Sequence, residues 1–260
     1  MDLKNEELSI LVYSCWKNSD MWDVFLTLLN KYWQDRQFKV LLLTDKINDN
    51  AYYQKFDDIS ILDSNWHDMI ISGIKRAGTD YVMLFMDDYL LCDYISNSDI
   101  LKYLNYAKMY NAANIRLVES PTIKATPFIE NSKFSYYEPG TAYSLSTQVG
   151  IWSSEFLCNN IKNEWSAWDF ERIGSMEVKD YQHVLLAPAD YTFPYEEGVR
   201  RGKWMDNGVR LCKRNNIKLD FSKRPAMTNL ELAWIYLKGA LLEINPNFIV
   251  TIQNLMRKRR

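Results

Sequence analysis

The sequence predicts an α/β protein in which a mostly parallel sheet is flanked by helices and followed by a helical C-terminal extension. Three observations carry this expectation. Apolar runs with strand character alternate with amphipathic helical patterns through the first third of the chain. One of those runs, Tyr81-Val82-Met83-Leu84-Phe85-Met86, stops abruptly at two carboxylates, Asp87 and Asp88. No internal repeat and no Pro/Gly/Ser-rich linker divides the chain.

The elements follow in order. Residues 10–16 read as a strand, and residues 20–33 as a helix with Trp22, Phe25, Leu26, Leu29 and Trp33 at helical spacing. A second strand, 38–44, ends at Asp45, and a short third spans 60–62. The helix over 65–77 sets Trp66, Met69, Ile70, Gly73 and Ile74 on one stripe, and 81–86 is the next strand. Parallel strands joined this way bind ligands at their carboxyl ends, where Ser14-Cys15-Trp16, Thr44-Asp45 and Asp87-Asp88 all fall. Further on, a helix is expected over 99–110 and a strand over 114–119. Residues 133–152, rich in Tyr, Ser, Thr and Gly with a Pro139-Gly140 turn signal, suggest an antiparallel hairpin or meander. Helices return at 154–163 and 167–178, and a strand at 183–187. The main domain is drawn at 1–205 and the helical extension at 206–260.

Composition narrows the class. A chain of 260 residues with 47% hydrophobic content can bury a sizeable core. A net charge of −2 provides no global basic field for nucleic acid, so no nucleic-acid partner is expected. The nine Trp and 17 Tyr serve chiefly as core, yet such residues also stack well on planar bases and sugar faces. Four scattered cysteines without a C-x-x-C pair point to reduced thiols and a cytoplasmic setting. Residues 1–7 lack the apolar core of a secretory signal, and no run approaches the roughly 18 to 20 apolar residues that cross a bilayer. Membrane contact is therefore expected to be peripheral.

Four stretches could carry chemistry. Paired carboxylates at a strand end suit a hard divalent ion, Mg²⁺ or Mn²⁺, that keeps waters and takes other ligands from substrate phosphates; a solvated turn or helix N-cap explains them equally well. In Ser166-Ala167-Trp168-Asp169-Phe170-Glu171, Asp169 and Glu171 lie two apart and point about 200° apart on a helix, whereas Trp168 and Glu171 share a face. Both acids could simply favour a helix N-terminus. Glu197-Gly198-Val199-Arg200-Arg201-Gly202-Lys203-Trp204 sets glycines around three cations, as a phosphate-binding loop or a solvated basic turn would. Finally, Leu230, Trp234, Leu237, Leu241 and Ile244 form a helical stripe ahead of the basic cluster Arg257-Lys258-Arg259-Arg260. Such a helix can dock on an anionic membrane surface, on the domain itself or on a second subunit.

Residues 10–91, with the run 81–89 standing where an apolar strand leads into a D-x-D-type motif, resemble the nucleotide-binding half of GT-A fold glycosyltransferases. This copy reads Met86-Asp87-Asp88 rather than strict D-x-D. The resemblance implies a GT-A-like Rossmann-type fold with a nucleotide-binding half at about 8–95 and an acceptor half at about 96–205. It implies that Asp88 coordinates a divalent metal (Mn²⁺ or Mg²⁺) on the donor diphosphate, and that Asp87 contacts the ribose, the donor sugar or the metal through water. Asp45 would lie near the base or ribose, with Ser14 and Trp16 lining the base pocket. Residues 166–175 look like the helix start that supplies the acceptor-side base of inverting enzymes, with Glu171 first and Asp169 second, and Trp168 flooring an acceptor sugar. Residues 197–204 resemble the loop that closes over the donor in bacterial surface-polysaccharide sugar transferases, where Arg201 or Lys203 would face the diphosphate. A downstream histidine completes the metal shell in several such enzymes; His183 stands in that part of the chain, although a histidine opening an apolar run is more often structural.

The expected activity is thus an inverting, metal-dependent transfer from a nucleotide-sugar donor to a carbohydrate or lipid-linked carbohydrate acceptor in bacterial polysaccharide synthesis. A nucleotidyltransferase would use a similar sheet, but Ser14-Cys15-Trp16-Lys17-Asn18 stands where a Gly-rich phosphate loop would follow the first strand. A non-catalytic sugar- or nucleotide-binding subunit would keep the fold and the aromatics without releasing nucleoside diphosphate.

Overall fold

A computed structural model of the chain describes residues 7–118, 125–179 and 182–244. Strands β1 (Leu8–Tyr13) and β2 (Lys39–Thr44) are apolar on both faces because both faces are covered; Leu8, Ile10, Leu11, Val12, Val40, Leu41, Leu42 and Leu43 are all buried. Between them α1 (Ser19–Tyr32) buries Met21, Trp22, Phe25, Leu28, Leu29 and Tyr32, while Asp20 complements its positive N-terminal end. After β3 (Asp58–Ile61), α2 (Trp66–Ala77) starts where the Asn65 side chain accepts the Asp68 amide at 2.9 Å. It stops where Gly78, at φ 63°, returns its N–H to Ile74 at 3.0 Å. β4 (Tyr81–Met86) then runs into the turn at Asp87-Asp88 and the short β5 (Tyr89–Leu91).

The second half continues with α3 (Asn97–Met109), capped by Ser96, and with β6 (Ala112–Arg116), β7 (Thr126–Pro127) and β8 (Phe134–Tyr136). β9 (Gly150–Ser153) leads directly into α4 (Ser154–Asn160). A helical segment follows in three parts: α5 (Ala167–Asp169), a π-helical turn (Phe170–Gly174) and α6 (Ser175–Glu177). β10 (Val184–Pro188) and β11 (Tyr195–Glu197) complete it.

One nine-stranded sheet forms in the order β3-β2-β1-β4-β9-β6-β10-β8-β7. β3, β2, β1 and β4 are mutually parallel, β9 is antiparallel to both β4 and β6, and β10 is parallel to β6. The carboxyl ends of β1, β2, β4, β6 and β10 therefore share one edge of the sheet, and β9 starts from that same edge. The chain winds outward from β1 through β2 to β3 and resumes on the other side of β1 with β4. This places the switch in winding direction, and the crevice it opens, between the tips of β1 and β4.

The predicted sheet and its flanking helices are present. Residues 133–152 do not form the expected hairpin: β8 pairs with β10 and β7, and β9 lies between β4 and β6. The reason is burial. Ile151 and Trp152 are fully buried, and the Trp152 ring packs on Phe156 and Phe170 at 6.2 and 5.5 Å between centroids. The Pro139-Gly140 turn does form, with the Thr141 amide donating to the Glu138 carbonyl at 3.1 Å and Gly140 at φ 80°, but central packing on that scale takes the strand after it to β4 and β6 instead of back onto β8. The insertion depends on Gly150, where a Cβ would stand 2.8 Å from Asn114 Nδ2 and 2.9 Å from the Ile115 carbonyl oxygen. Gly150→Ala is accordingly expected to destabilise the protein by about 1–3 kcal/mol through overpacking, read as a lower midpoint in urea with an unchanged slope.

Residues 7–118 and 125–196 form one compact unit, and 197–244 belong to a second. The boundary thus precedes the Gly/Arg segment instead of following residue 205. In the second unit β12 (Val199–Arg200) and β13 (Lys203–Trp204) form a hairpin, followed by α7 (Asp206–Arg214) and α8 (Asn229–Ile244). Leu230, Trp234 and Leu237 of α8 are exposed. The side chains of Leu241 and Ile244 and the basic cluster 257–260 lie outside the described residues. Among those described, no helix is long and apolar enough to cross a membrane.

Candidate active site

Hydrogen bonds tie three strand tips together at the switch point. The Ser14 amide donates to the Leu43 carbonyl at 2.9 Å, joining β1 to β2. The Ser14 hydroxyl donates to Asp87 Oδ2, joining β1 to β4, and itself accepts from the indole of Trp22 at 2.6 Å. Asp87 is buried, so this Trp22-Ser14-Asp87 relay holds the carboxylate under the crevice floor. Asp88, the next residue of the turn, is half-buried.

At the β2 tip, Asp45 Oδ1 accepts the Trp16 amide at 2.6 Å and the Thr44 hydroxyl at 3.2 Å. Desolvation alone would raise the Asp45 carboxyl, but the amides of Trp16, Asp45 and Lys46 and the Thr44 hydroxyl outweigh it and hold it below the usual carboxylate range. The half-buried Trp16 ring meets Trp22 edge-on at 5.7 Å, beside Tyr52. Negative charge accumulates here. Burial first, and then Cys15, Asp87 and Asp45, push the Tyr13 hydroxyl up; burial and then Asp87 push the Cys15 thiol up. A bare diphosphate would be repelled from such a place unless a cation came with it.

Among the described residues no three His, Cys, Asp or Glu side chains come together as a ready metal cage. Asp87 is buried and bonded to Ser14, and Asp88 follows it half-buried on the same turn, so this turn could offer an ion one or two carboxylates. That fits Mg²⁺ or Mn²⁺, which keep waters and take phosphate oxygens beside one or two carboxylates, and does not fit a closed all-protein site. His183 is not part of it. It precedes β10 at the amino-terminal end of that strand, the opposite edge of the sheet from Asp88, and its ring packs edge-on against Phe156 of α4 at 5.8 Å. A five-residue strand at about 3.3 Å per residue separates the two edges.

On the other side of β4, the loop 145–148 enters β9 from the crevice edge. Glu171, in the π-helical turn, fastens this loop: its Oε1 accepts the Thr147 amide at 2.7 Å, the Thr147 hydroxyl at 2.8 Å and the Ser146 hydroxyl at 3.0 Å. Ser175 adds a second tie, accepting the Leu145 amide at 2.9 Å while donating to the Glu171 carbonyl at 2.6 Å. Glu171 Oε2 accepts no hydrogen bond among the described residues. Asp169 has a different task. With Ser166 it forms a capping box, its Oδ2 accepting from the Ser166 amide at 3.2 Å and hydroxyl at 2.7 Å. The geometry therefore separates the two acids, Asp169 to the helix start and Glu171 to the loop. Trp168 is 69% exposed, and the wide π-turn, which begins at Phe170, breaks the simple three-residue face shared with Glu171.

The Gly/Arg segment of the second unit is a tight hairpin. Arg201 and Gly202, at φ 53° and 75°, are the two central residues of a turn whose geometry calls for positive φ at both. Arg201 is exposed; Lys203 forms an ion pair with Glu231 at 2.6 Å. Lys203, with the Thr228 amide and hydroxyl after it, holds the Glu231 carboxyl down at about 2.

Sequence reasoning missed Arg116 and Gln148. Arg116 closes β6 on the crevice edge and donates to Gln148 Oε1 at 2.7 Å. The signal was present: an arginine ending the buried strand Ala112-Ala113-Asn114-Ile115 is the same anomaly as Asp87-Asp88 ending β4.

The site and sheet together define an α/β fold with an acidic crevice at its switch point. No family model matches the chain, and no curated protein matches it in sequence. Among solved structures, S. aureus TarS 1-349 in complex with UDP-GlcNAc is 14% identical over 83% of this chain and 68% of that one, with a TM-score of 0.47. A second TarS 1-349 structure is 12% identical over 73% of this chain, TM-score 0.45, and the chain spans 59% of its length. A cytidylyltransferase from Leptospira borgpetersenii is 11% identical over 85% of this chain and 98% of its own, TM-score 0.43.

Proposed function

We propose that the chain is a metal-dependent glycosyltransferase that moves a sugar from a nucleotide-diphosphate donor to an acceptor hydroxyl with inversion. The observation that carries this reading is the joining of acidic strand tips at the switch point, Asp45 through Trp16 and Asp87 through Ser14, with Glu171 fastened beside the neighbouring strand. Trp16 and Asp45 receive the nucleoside. Asp88 would hold a Mn²⁺ or Mg²⁺ ion, which would supply positive charge to a diphosphate that the acidic surroundings otherwise disfavour. Glu171 Oε2 takes the proton of the acceptor hydroxyl as its oxygen bonds to the anomeric carbon and the bond from that carbon to the diphosphate breaks. Three donors on Oε1 fix the carboxylate so that Oε2 stays aimed.

The test is a thermal-shift screen against UDP-, GDP-, CMP- and dTDP-sugars, each with Mn²⁺ and with EDTA. One nucleotide class is expected to raise Tm only with the metal present; at a hundredfold excess over Kd the stabilisation is about 2.7 kcal/mol. Absence of any metal-dependent shift across the panel would overturn the reading.

A further inference from the structure

We propose that the acceptor carries an anionic group, a carboxylate or a phosphate, and that Arg116 receives it. The proposal rests on the transferase reading and deepens it by naming the acceptor class. Arg116 is only 5% exposed, yet it forms no ion pair among the described residues. Among the described residues its two hydrogen bonds go to neutral oxygens, the Tyr143 carbonyl at 3.3 Å and Gln148 Oε1 at 2.7 Å, and its Nε–H has no acceptor. The Tyr137 ring stands 5.9 Å from the guanidinium, and Tyr89 and Tyr195, whose rings meet at 4.7 Å, are electrostatic neighbours. Glu171 also acts on Arg116 through space, without pairing with it.

A buried guanidinium without a directly paired counter-charge is costly, and an apolar side chain of similar volume would serve packing better. What this arrangement lacks is an oxyanion, and a guanidinium's planar fork matches carboxylate and phosphate alike. Position assigns the anion to the acceptor. β6 lies two strands beyond β4, about 10 Å at the usual strand spacing, on the side away from the Trp16 and Asp45 tips. Arg116 is directly opposite Gly150, which is itself opposite Leu84, so it shares a sheet face with both. An acceptor can thus present its hydroxyl to Glu171 and its anion to Arg116.

The experiment titrates the full chain by ligand-observed NMR with methyl β-D-glucuronide, glucose 6-phosphate and, as neutral control, methyl β-D-glucoside. Wild type, Arg116→Gln and Arg116→Met are compared. At least one anionic probe is expected to bind wild type about tenfold more tightly than the glucoside, and the better of the two names the carboxylate or the phosphate source. Both variants lose that preference, and Arg116→Met keeps or raises Tm. Equal binding of acidic and neutral probes by wild type, or a preference that survives in a folded variant, would overturn the proposal. Should neither variant fold, the wild-type Arg116 Nε–H resonance decides: it moves with an anionic probe and not with the glucoside, and a resonance that no anion moves overturns the proposal. UDP with Mn²⁺ is titrated separately, so that failure of the donor reading is seen apart from failure of the anion subsite.

Discussion

Asp88→Ala is expected to abolish metal-dependent donor turnover and leave the fold intact. Asp88 sits half-buried on the turn after β4, outside the sheet ladder, so losing its carboxylate removes little packing. Under the proposed function its charge holds a divalent ion against the diphosphate, and removing one such stabilising group costs about 10²–10³ in kcat. Release of nucleoside diphosphate, followed with and without Mn²⁺, measures the effect, and circular dichroism checks the fold. Retained turnover in a folded Asp88→Ala protein would sink the assignment. The neighbour behaves differently. Asp87→Ala leaves the Ser14 hydroxyl, which itself accepts from the Trp22 indole, without its buried acceptor and is expected to cost about 1–3 kcal/mol of stability, so it cannot serve as the clean probe.

Glu171→Gln should remove sugar transfer and spare donor binding. Glutamine keeps a carbonyl oxygen where Oε1 accepts from Ser146 and Thr147, so the loop stays fastened while the base is lost. Loss of a general base lowers kcat by about 10²–10⁴. The companion variant Asp169→Asn is expected to transfer normally, because Asp169 is engaged in the cap with Ser166. Normal transfer by Glu171→Gln with loss in Asp169→Asn would reverse the roles of the two acids.

Much of this was readable before any coordinates, and the reasons are physical. β1, β2 and β4 are buried on both faces, so each announces itself as a continuous apolar run, and each ends at the polar residues that the fold gathers: Ser14, Asp45 and Asp87-Asp88. The place of β9 was not readable. Its four residues pair with β4 and β6, both distant in sequence, and nothing local distinguishes that pairing from a hairpin with β8. His183 fell to topology of the same kind: its position in the chain suggested the metal, but strand direction puts it at the far edge. The capping role of Asp169 was legible in Ser166, three residues before it, a pattern that engages this acid with the backbone at the helix start.

The antiparallel insertion of β9 also orders the birth of the protein. As the chain emerges from the ribosome, β1 to β4 and their crossover helices can assemble from neighbouring segments alone. The outer side of β4, Tyr81 to Leu84, then waits as an open, apolar edge until Gly150–Ser153 has been synthesised. During that interval the nascent chain offers a template for wrong partners, which closing β9 removes. Translation pauses or truncations that fall before residue 150 therefore leave a species prone to aggregation, although the β1 to β4 side of its crevice is already built.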